Sequence, residues 1–164
     1  LITIATGSSW AINSKLIDET LVDPKTDAPY SRKKYVDSRE FIGRDRIGGV
    51  ILSADLDLTH PIAFGYNDLK IPVYKNNNVF INKTNDDYSS VAIYSNDFHI
   101  DGYISESNRK IFIPGAASVI VSKIGKGRVI VFADNPNFRG TWYGTNKLFL
   151  NAIFLGNNIS VPTD

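Results

Sequence analysis

Short apolar runs separated by turn-forming residues dominate the chain and predict a mixture of strands and helices. The opening run, residues 1–6, is rich in β-branched residues and predicts a strand, and the apolar spacing of residues 10–22 predicts a helix after it. Residues 145–155 have the spacing of a second helix. Between the helices, runs divided by Asn, Asp and Gly predict strands at 48–57, 70–75, 78–83, 89–95 and 100–105 and a strand hairpin within 110–134.

This order of elements predicts an α/β fold. A strand, a turn and a helix open the chain, the same unit closes it, and a β-rich region lies between them, so we expect a mostly parallel core sheet with antiparallel additions at its edge. Residues 23–46 are polar and charged and predict a long surface excursion. In open α/β sheets ligands bind beyond the carboxyl ends of the strands, which singles out the loops at 6–10 and 134–144.

Composition narrows the possible functions. The chain has 164 residues, of which 43% are hydrophobic and 21% charged, as in an ordinary globular domain. Its formal net charge is +1, so no strong field favours nucleic acid or an anionic membrane as a partner. It has no apolar run long enough to span a membrane, so we expect no membrane span. It has no cysteine, which excludes a thiolate nucleophile and cysteine-ligated metals.

The turn "ATGSSWAI" is the first candidate for chemistry. A serine on a sharp strand-to-helix turn is typical of a nucleophile elbow, so Ser8 and Ser9 are candidate nucleophiles and His60 the candidate base. The alternative is that Ser8 or Ser9 caps the helix and His60 is a turn residue. This alternative is favoured because His60 does not follow the last strand of the predicted sheet.

A metal site is the second candidate. Asp55, Asp57 and His60 lie close together in "DLDLTH", and oxygen ligands at alternate positions of a strand can face one way. A strand end with solvated acids is the favoured alternative, because the full ligand set of a hard cation is not visible. Neither zinc-protease motif, His-x-x-Glu nor His-Glu-x-x-His, occurs in the chain.

The loop "DNPNFRGTWYG" is the most distinctive stretch. Pro136 and Gly140 are expected to shape it, and its aromatic residues to cover the top of the sheet. A binding role is the hypothesis set against this structural one. In it, a polar and aromatic patch binds a peptide, a glycan or a neighbouring domain through Asn135, Asn137, Arg139, Trp142 and Tyr143.

Two stretches carry a family resemblance. The run at 125–156 together with "LDLTHPIAFGY" resembles the C-terminal region of bacterial zinc carboxypeptidases, the carboxypeptidase A-like metallopeptidases, most strongly over residues 55–66 and 125–156. The resemblance implies a single class I glutamine amidotransferase-like domain over residues 1–164, with a flavodoxin-like three-layer sandwich and an antiparallel β-rich insertion. It also implies a fragment of a longer protein, with earlier strands and the peptidase domain expected upstream of Leu1.

The family pattern and this chain differ at the catalytic positions. A working amidotransferase has a cysteine at its elbow and a His-x-Glu pair after a later strand, whereas this chain has serines at the elbow and no such pair in "ADNPNFRG". The resemblance therefore implies a non-catalytic accessory domain of a secreted or periplasmic zinc carboxypeptidase. Zinc is expected only in the peptidase domain, and no cofactor in this chain.

Three function classes follow. The first is the accessory domain, which would pack on the peptidase domain or position its substrate. The second is a serine hydrolase that uses Ser8 or Ser9 with His60, and the third is a carbohydrate- or peptide-binding module. An exposed sheet edge would also allow a homodimer.

Overall fold

The structure, a computed structural model, describes residues 1–23, 32 and 34–160. Seven strands form one sheet, in the order β1-β7-β6-β5-β2-β3, with β4 paired to β6. The residues at 24–31 and 33 in the predicted surface excursion lie outside the described part. The strands and helices are β1 (Ile2–Ile4), α1 (Thr6–Asn13), α2 (Ser38–Arg44), β2 (Val50–Leu56), β3 (Lys70–Lys75), β4 (Ile81–Asn82), β5 (Ser90–Gly102), β6 (Ala116–Ile124), β7 (Gly127–Phe132) and α3 (Tyr143–Leu155).

The prediction of a mostly parallel, flavodoxin-like or amidotransferase-like sandwich is wrong. Among the described strands, only β1 and β7 pair in parallel, and every other pair is antiparallel. The physical reason is that β6 and β7 are joined by a tight turn, which permits only antiparallel pairing, and that the fully described connections from β2 to β6 hold no α-helix that could serve as a crossover. The unit β1–α1 does not open a parallel crossover, because the next strand along the chain, β2, is separated from β1 in the sheet by β7, β6 and β5.

Strong curvature turns this mixed sheet into a half-barrel. The long strand β5 shifts register twice against β2 and twice against β6, and such bulges bend a strand and increase its twist. The regions 89–95 and 100–105, predicted as two strands, are therefore mostly one bent strand.

Helices cover both faces of the curved sheet. On the enclosed face, α3 contributes Leu148 and Ala152 to a core shared with inward residues of β2, β3, β5, β6 and β7. On the other face, Ala11 and Ile12 of α1 pack against β6 and β7. The first helix begins at Thr6, so Ser8 and Ser9 lie inside it and do not cap it.

A buried polar network joins the two sides of the half-barrel. In a flat sheet β3 and β7 would be four strand spacings apart, roughly 19 Å, which is far beyond the reach of two side chains. Here Lys75 Nζ at the end of β3 lies 3.0 Å from Asp134 Oδ1, directly after β7. Tyr94 of β5 donates to Asp134 Oδ2 at 2.5 Å, and Ser118 of β6 donates to the same oxygen at 3.2 Å. This buried network, Lys75, Tyr94, Ser118 and Asp134, therefore joins four strands at one end of the sheet.

Candidate functional site

The carboxyl ends of β1 and β7 form the edge where the sequence predicted a site. These strands are parallel and in register from Ile2↔Ile130 to Ile4↔Phe132, so the turn after β1 and the loop after β7 leave the sheet side by side. The two loops singled out by the sequence therefore do meet at one edge.

The turn after β1 is a sharp elbow centred on Ala5. Its backbone has φ 49° and ψ −115°, a strained conformation for a residue with a side chain. The Ala5 N–H donates to the Phe132 carbonyl, and the Ala5 carbonyl accepts from the N–H groups of Ser8 and Ser9. A strained strand-to-helix turn is where elbow hydrolases place their nucleophile, and this chain places a methyl group there.

The hydroxyl of Ser8 is engaged inside the protein. Ser8 is fully buried in the first turn of α1, and its Oγ donates to the Phe132 carbonyl at 2.8 Å and lies 3.1 Å from Thr3 Oγ1. Ser9, on the same helix, is half-buried. The Ser8 hydroxyl thus fixes α1 to the end of β7.

His60 and these serines lie on opposite faces of the sheet. The turn that His60 begins contributes Ile62 and Ala63 to the core shared with α3, whereas α1, which holds the serines, packs on the other face against β6 and β7. His60 Nδ1 accepts a hydrogen bond from the Ile62 N–H at 3.1 Å, and the residue begins a short 3-10 turn. Burial lowers the pKa of His60, against the opposing charge of Asp57, which favours the neutral ring that accepts this bond. The structure does not bring Ser8 or Ser9 together with His60.

The predicted metal ligands are near one another, but each has another partner. Asp55 Oδ1 accepts from Ser95 Oγ at 2.6 Å, and Asp57 Oδ1 accepts from both the N–H and the hydroxyl of Thr59. His60 Nδ1 is bound to the Ile62 N–H, as above. Within the described ranges, no three His, Cys, Asp or Glu side chains converge on a point that could hold a metal ion. Asp55 and Asp57 instead line one open cleft with Lys83 and Asn96.

The loop after β7, residues 134–144, closes the half-barrel and is called the closing loop below. It runs from the end of β7 to the far edge strand β3, where Trp142 Nε1 donates to the Pro72 carbonyl at 3.1 Å. The Tyr74 ring on the same strand packs against Phe138, with centroids 4.1 Å apart, and against Trp142 at 5.9 Å. Because proline has no N–H and its carbonyl is taken by Trp142, this part of the β3 edge offers nothing for pairing.

The candidate interface residues of the closing loop have two different placements. Asn135 shapes the loop, since its Oδ1 accepts from the Asn137 N–H at 3.0 Å, and Trp142 is bound to β3. Arg139 and Tyr143 are exposed. The Arg139 guanidinium lies 5.1 Å from the centre of the Phe138 ring, so it does not pair with the buried Asp134. Only Arg139 and Tyr143 therefore present most of their side chains to a partner.

Helix α3 is tied to the turn after β2 by its polar residues. Lys147 Nζ donates to the Gly65 carbonyl, and Asn151 Nδ2 lies 2.8 Å from the carbonyls of both Ile62 and Phe64. Tyr66 Oη donates to the Gly144 carbonyl at 3.0 Å, and burial raises the pKa of Tyr66 to about 12. The stretches 55–66 and 125–156, which carry the family resemblance, are thus packed against each other.

Sequence reasoning missed two features of this region. The buried network could have been found from "KIPVYK", because Ile71, Val73 and Lys75 alternate and a lysine in phase with two core residues must point inward. The role of Ala5 had no such signal, since an alanine between a strand and a helix is chemically unremarkable.

The comparisons with known proteins add no relative. A scan against protein-family models, a search of curated proteins and a search of solved structures each gave no match. The resemblance to zinc carboxypeptidases therefore remains a prediction from the sequence. One expectation is met in part: no helix in the described part of the chain is long and apolar enough to cross a membrane.

Proposed function

We propose that this chain is a non-catalytic accessory domain of a zinc carboxypeptidase-like protein. In this proposal the parent protein removes C-terminal residues from peptides, and this domain packs on the peptidase domain or positions the substrate. Zinc belongs to the peptidase domain and not to this chain.

One observation carries the non-catalytic part of the proposal. The strand-to-helix elbow has the strained backbone that suits a nucleophile, and Ala5 occupies it. The neighbouring Ser8 is buried and its hydroxyl is bonded to the Phe132 carbonyl, so it has neither access nor a base. A serine hydrolase based on Ser8 or Ser9 with His60 is disfavoured, because α1 packs on one face of the sheet and the turn that begins at His60 packs on the other.

The identity of the parent rests on the residues that carry the resemblance. Both stretches, 55–66 and 125–156, contribute to one contiguous region built from α3, the closing loop and the turn after β2. A surface that includes Arg139 and Tyr143 on this region is the proposed contact with the peptidase domain. Location outside the cytoplasm, in the periplasm or secreted, is part of the same proposal and rests on the resemblance alone.

A fluorophosphonate probe tests the non-catalytic assignment. We expect the intact mass of the protein to be unchanged after incubation with the probe, whereas a serine adduct at Ser8 or Ser9 would refute the assignment. The variant Ala5→Cys is the matched control. Because the chain has no other cysteine, alkylation of this variant by iodoacetamide would show that small reagents reach the elbow.

Glycan or peptide binding by the closing loop is the second candidate. It is supported by the exposed Arg139 and Tyr143, while Trp142 is engaged with β3. Alanine at Arg139 and Tyr143 together should abolish glycan or peptide binding if this candidate is right, and unchanged binding would exclude it. A homodimer formed through the free edge of β1 remains a further proposal, for which sedimentation velocity is the test.

A further inference from the structure

A short helical segment stands apart from the packed body of the protein. Residues 34–46, called the arm below, comprise a 3-10 turn at Tyr35–Asp37, the helix α2 and the residues after it. Neither the turn nor α2 contains a buried residue. Among the described residues, hydrogen bonds join the arm to the body at its C-terminal end, where Asn78 and Asn108 donate to the Asp45 carbonyl and Ser107 donates to the Asp45 carboxylate.

The arm exposes large apolar side chains. Tyr35 is 93% exposed, Val36 81% and Ile42 75%, although apolar residues of this size normally direct a short helix onto a core. Tyr35 and Ile42 line one open cleft of the arm, together with Lys34, Asp37, Ser38 and Phe41. A partner that covers these side chains therefore has to be apolar where it meets the arm.

Cations surround these apolar residues. By sequence, residues 32–46 hold six Lys and Arg against three Asp and Glu, which leaves twelve basic and fourteen acidic residues in the rest of the chain. The arm itself holds four of these cations and all three acids, so the positive charge is concentrated at the arm together with Arg32 and Lys33 before it. Asp37 and Glu40 are exposed, whereas Asp45 is turned toward the body and accepts from Ser107 at 2.7 Å, and this bond lowers the pKa of the carboxyl. Exposed Lys34, Arg39 and Arg46 flank the apolar residues.

We propose that the arm docks on the surface of an anionic lipid bilayer. In this arrangement Tyr35, Val36 and Ile42 enter the headgroup layer while the flanking Lys and Arg side chains contact the anionic headgroups. The arm lies on the bilayer and does not span it, in keeping with the absence of a membrane-spanning helix among the described residues. The inference is independent of the accessory function proposed above, since it uses none of the residues of the elbow or the closing loop.

Co-sedimentation of the whole chain with vesicles tests the charge requirement. We expect binding to vesicles of equal parts phosphatidylglycerol and phosphatidylcholine, none to pure phosphatidylcholine, and weaker binding as salt is raised. The double variant Arg39→Gln/Arg46→Gln should bind about 25-fold more weakly, at roughly fivefold for each charge. Its matched control is Lys123→Gln/Lys126→Gln, which removes two exposed lysines near the β6–β7 turn and should bind like the wild type.

A second pair of variants tests the apolar contact. The change Val36→Ser/Ile42→Ser should weaken binding by about tenfold or more, because it removes two side chains that leave water on docking. Phe154→Ser is the control, since Phe154 on α3 is 74% exposed but lies outside the arm. Because none of these side chains is buried, we expect all the variants to keep the thermal unfolding curve of the wild type.

A fluorescent label provides a measurement that does not depend on a loss of binding. The variant Ile42→Cys places the only thiol of the chain on the arm, and an environment-sensitive dye attached there should shift its emission to the blue on anionic vesicles. A label at Lys126→Cys should not shift. Each of three results would overturn the proposal. The first is equal binding to both vesicle types, and the second is unchanged binding by Val36→Ser/Ile42→Ser. The third is tighter binding to a DNA oligonucleotide or an acidic protein than to the vesicles.

Discussion

Replacing Lys75 by methionine should destabilise the protein strongly, although the two side chains are similar in size. The Lys75 ammonium is fully buried, with Asp134 Oδ1 at 3.0 Å and the Val79 carbonyl at 2.6 Å. Burial lowers the pKa of Lys75, while the charge of Asp134 and its hydrogen bond oppose this shift. In Lys75→Met the Asp134 carboxylate keeps Tyr94 and Ser118 as donors but loses its counter-ion, and breaking such a pair costs about 3–5 kcal/mol in the free energy of unfolding.

Urea unfolding followed by tryptophan fluorescence measures this change. With a urea dependence of about 2 kcal/mol per molar, the loss corresponds to a midpoint lowered by about 2 M. Lys70→Met is the matched control, because Lys70 lies on the same strand and is exposed. This control should stay within about 0.5 kcal/mol of the wild type.

A double-mutant cycle separates the ion pair from general effects on packing. The variant Lys75→Met/Asp134→Asn removes both charges and keeps an amide oxygen for the Tyr94 hydroxyl, so it should be clearly more stable than the sum of the two single changes predicts. If Lys75→Met were as mild as Lys70→Met, or if the two single effects simply added, the reasoning that the pair holds β3 to β7 would be refuted.

Three further changes test other parts of the structure. Ala5→Gly should raise the free energy of unfolding by about 1 kcal/mol in urea titrations, because glycine relieves the positive φ, and a destabilised variant would contradict the strain. Trp142→Phe should lower it by about 1 kcal/mol through loss of the hydrogen bond to Pro72, whereas no change would show that the closing loop does not depend on this bond. Because the pKa of His60 is lower in the folded protein than in the unfolded chain, the imidazole is protonated first in the unfolded chain as pH falls. Stability should therefore fall as pH drops below the ordinary value of 6.5. In His60→Asn thermal unfolding should depend less on pH between about 7.5 and 5, and an unchanged pH dependence would exclude His60 as its source.

Local patterns in the sequence predicted individual elements well. The strand at 70–75 has the predicted bounds, the hairpin of β6 and β7 lies within 110–134, and the last helix begins two residues before the predicted start at 145. These elements depend on interactions between near neighbours along the chain. The first helix is shorter than predicted and ends at Asn13, because the apolar residues after it, such as Ile17, belong to the core without being helical.

The arrangement of the strands could not be predicted in the same way. Which strands pair, and in which direction, depends on contacts between distant residues, and the bulges that bend β5 have no marker in "SVAIYSNDFHIDG". The curvature of the sheet also determines which residues meet at the candidate site. It brings Lys75 to Asp134 and gives Trp142 a place on the edge of β3, so residues predicted as a ligand surface partly close the fold instead.

Peptide hydrolysis tests the accessory role most directly. The measurement compares release of C-terminal residues from a peptide by the proposed longer protein, which would join a peptidase domain to this one, and by residues 1–164 alone, each with and without a zinc chelator. We predict that only the longer protein is active, that its activity requires zinc, and that residues 1–164 added to the separate peptidase domain bind to it. Hydrolysis by residues 1–164 alone would contradict the account.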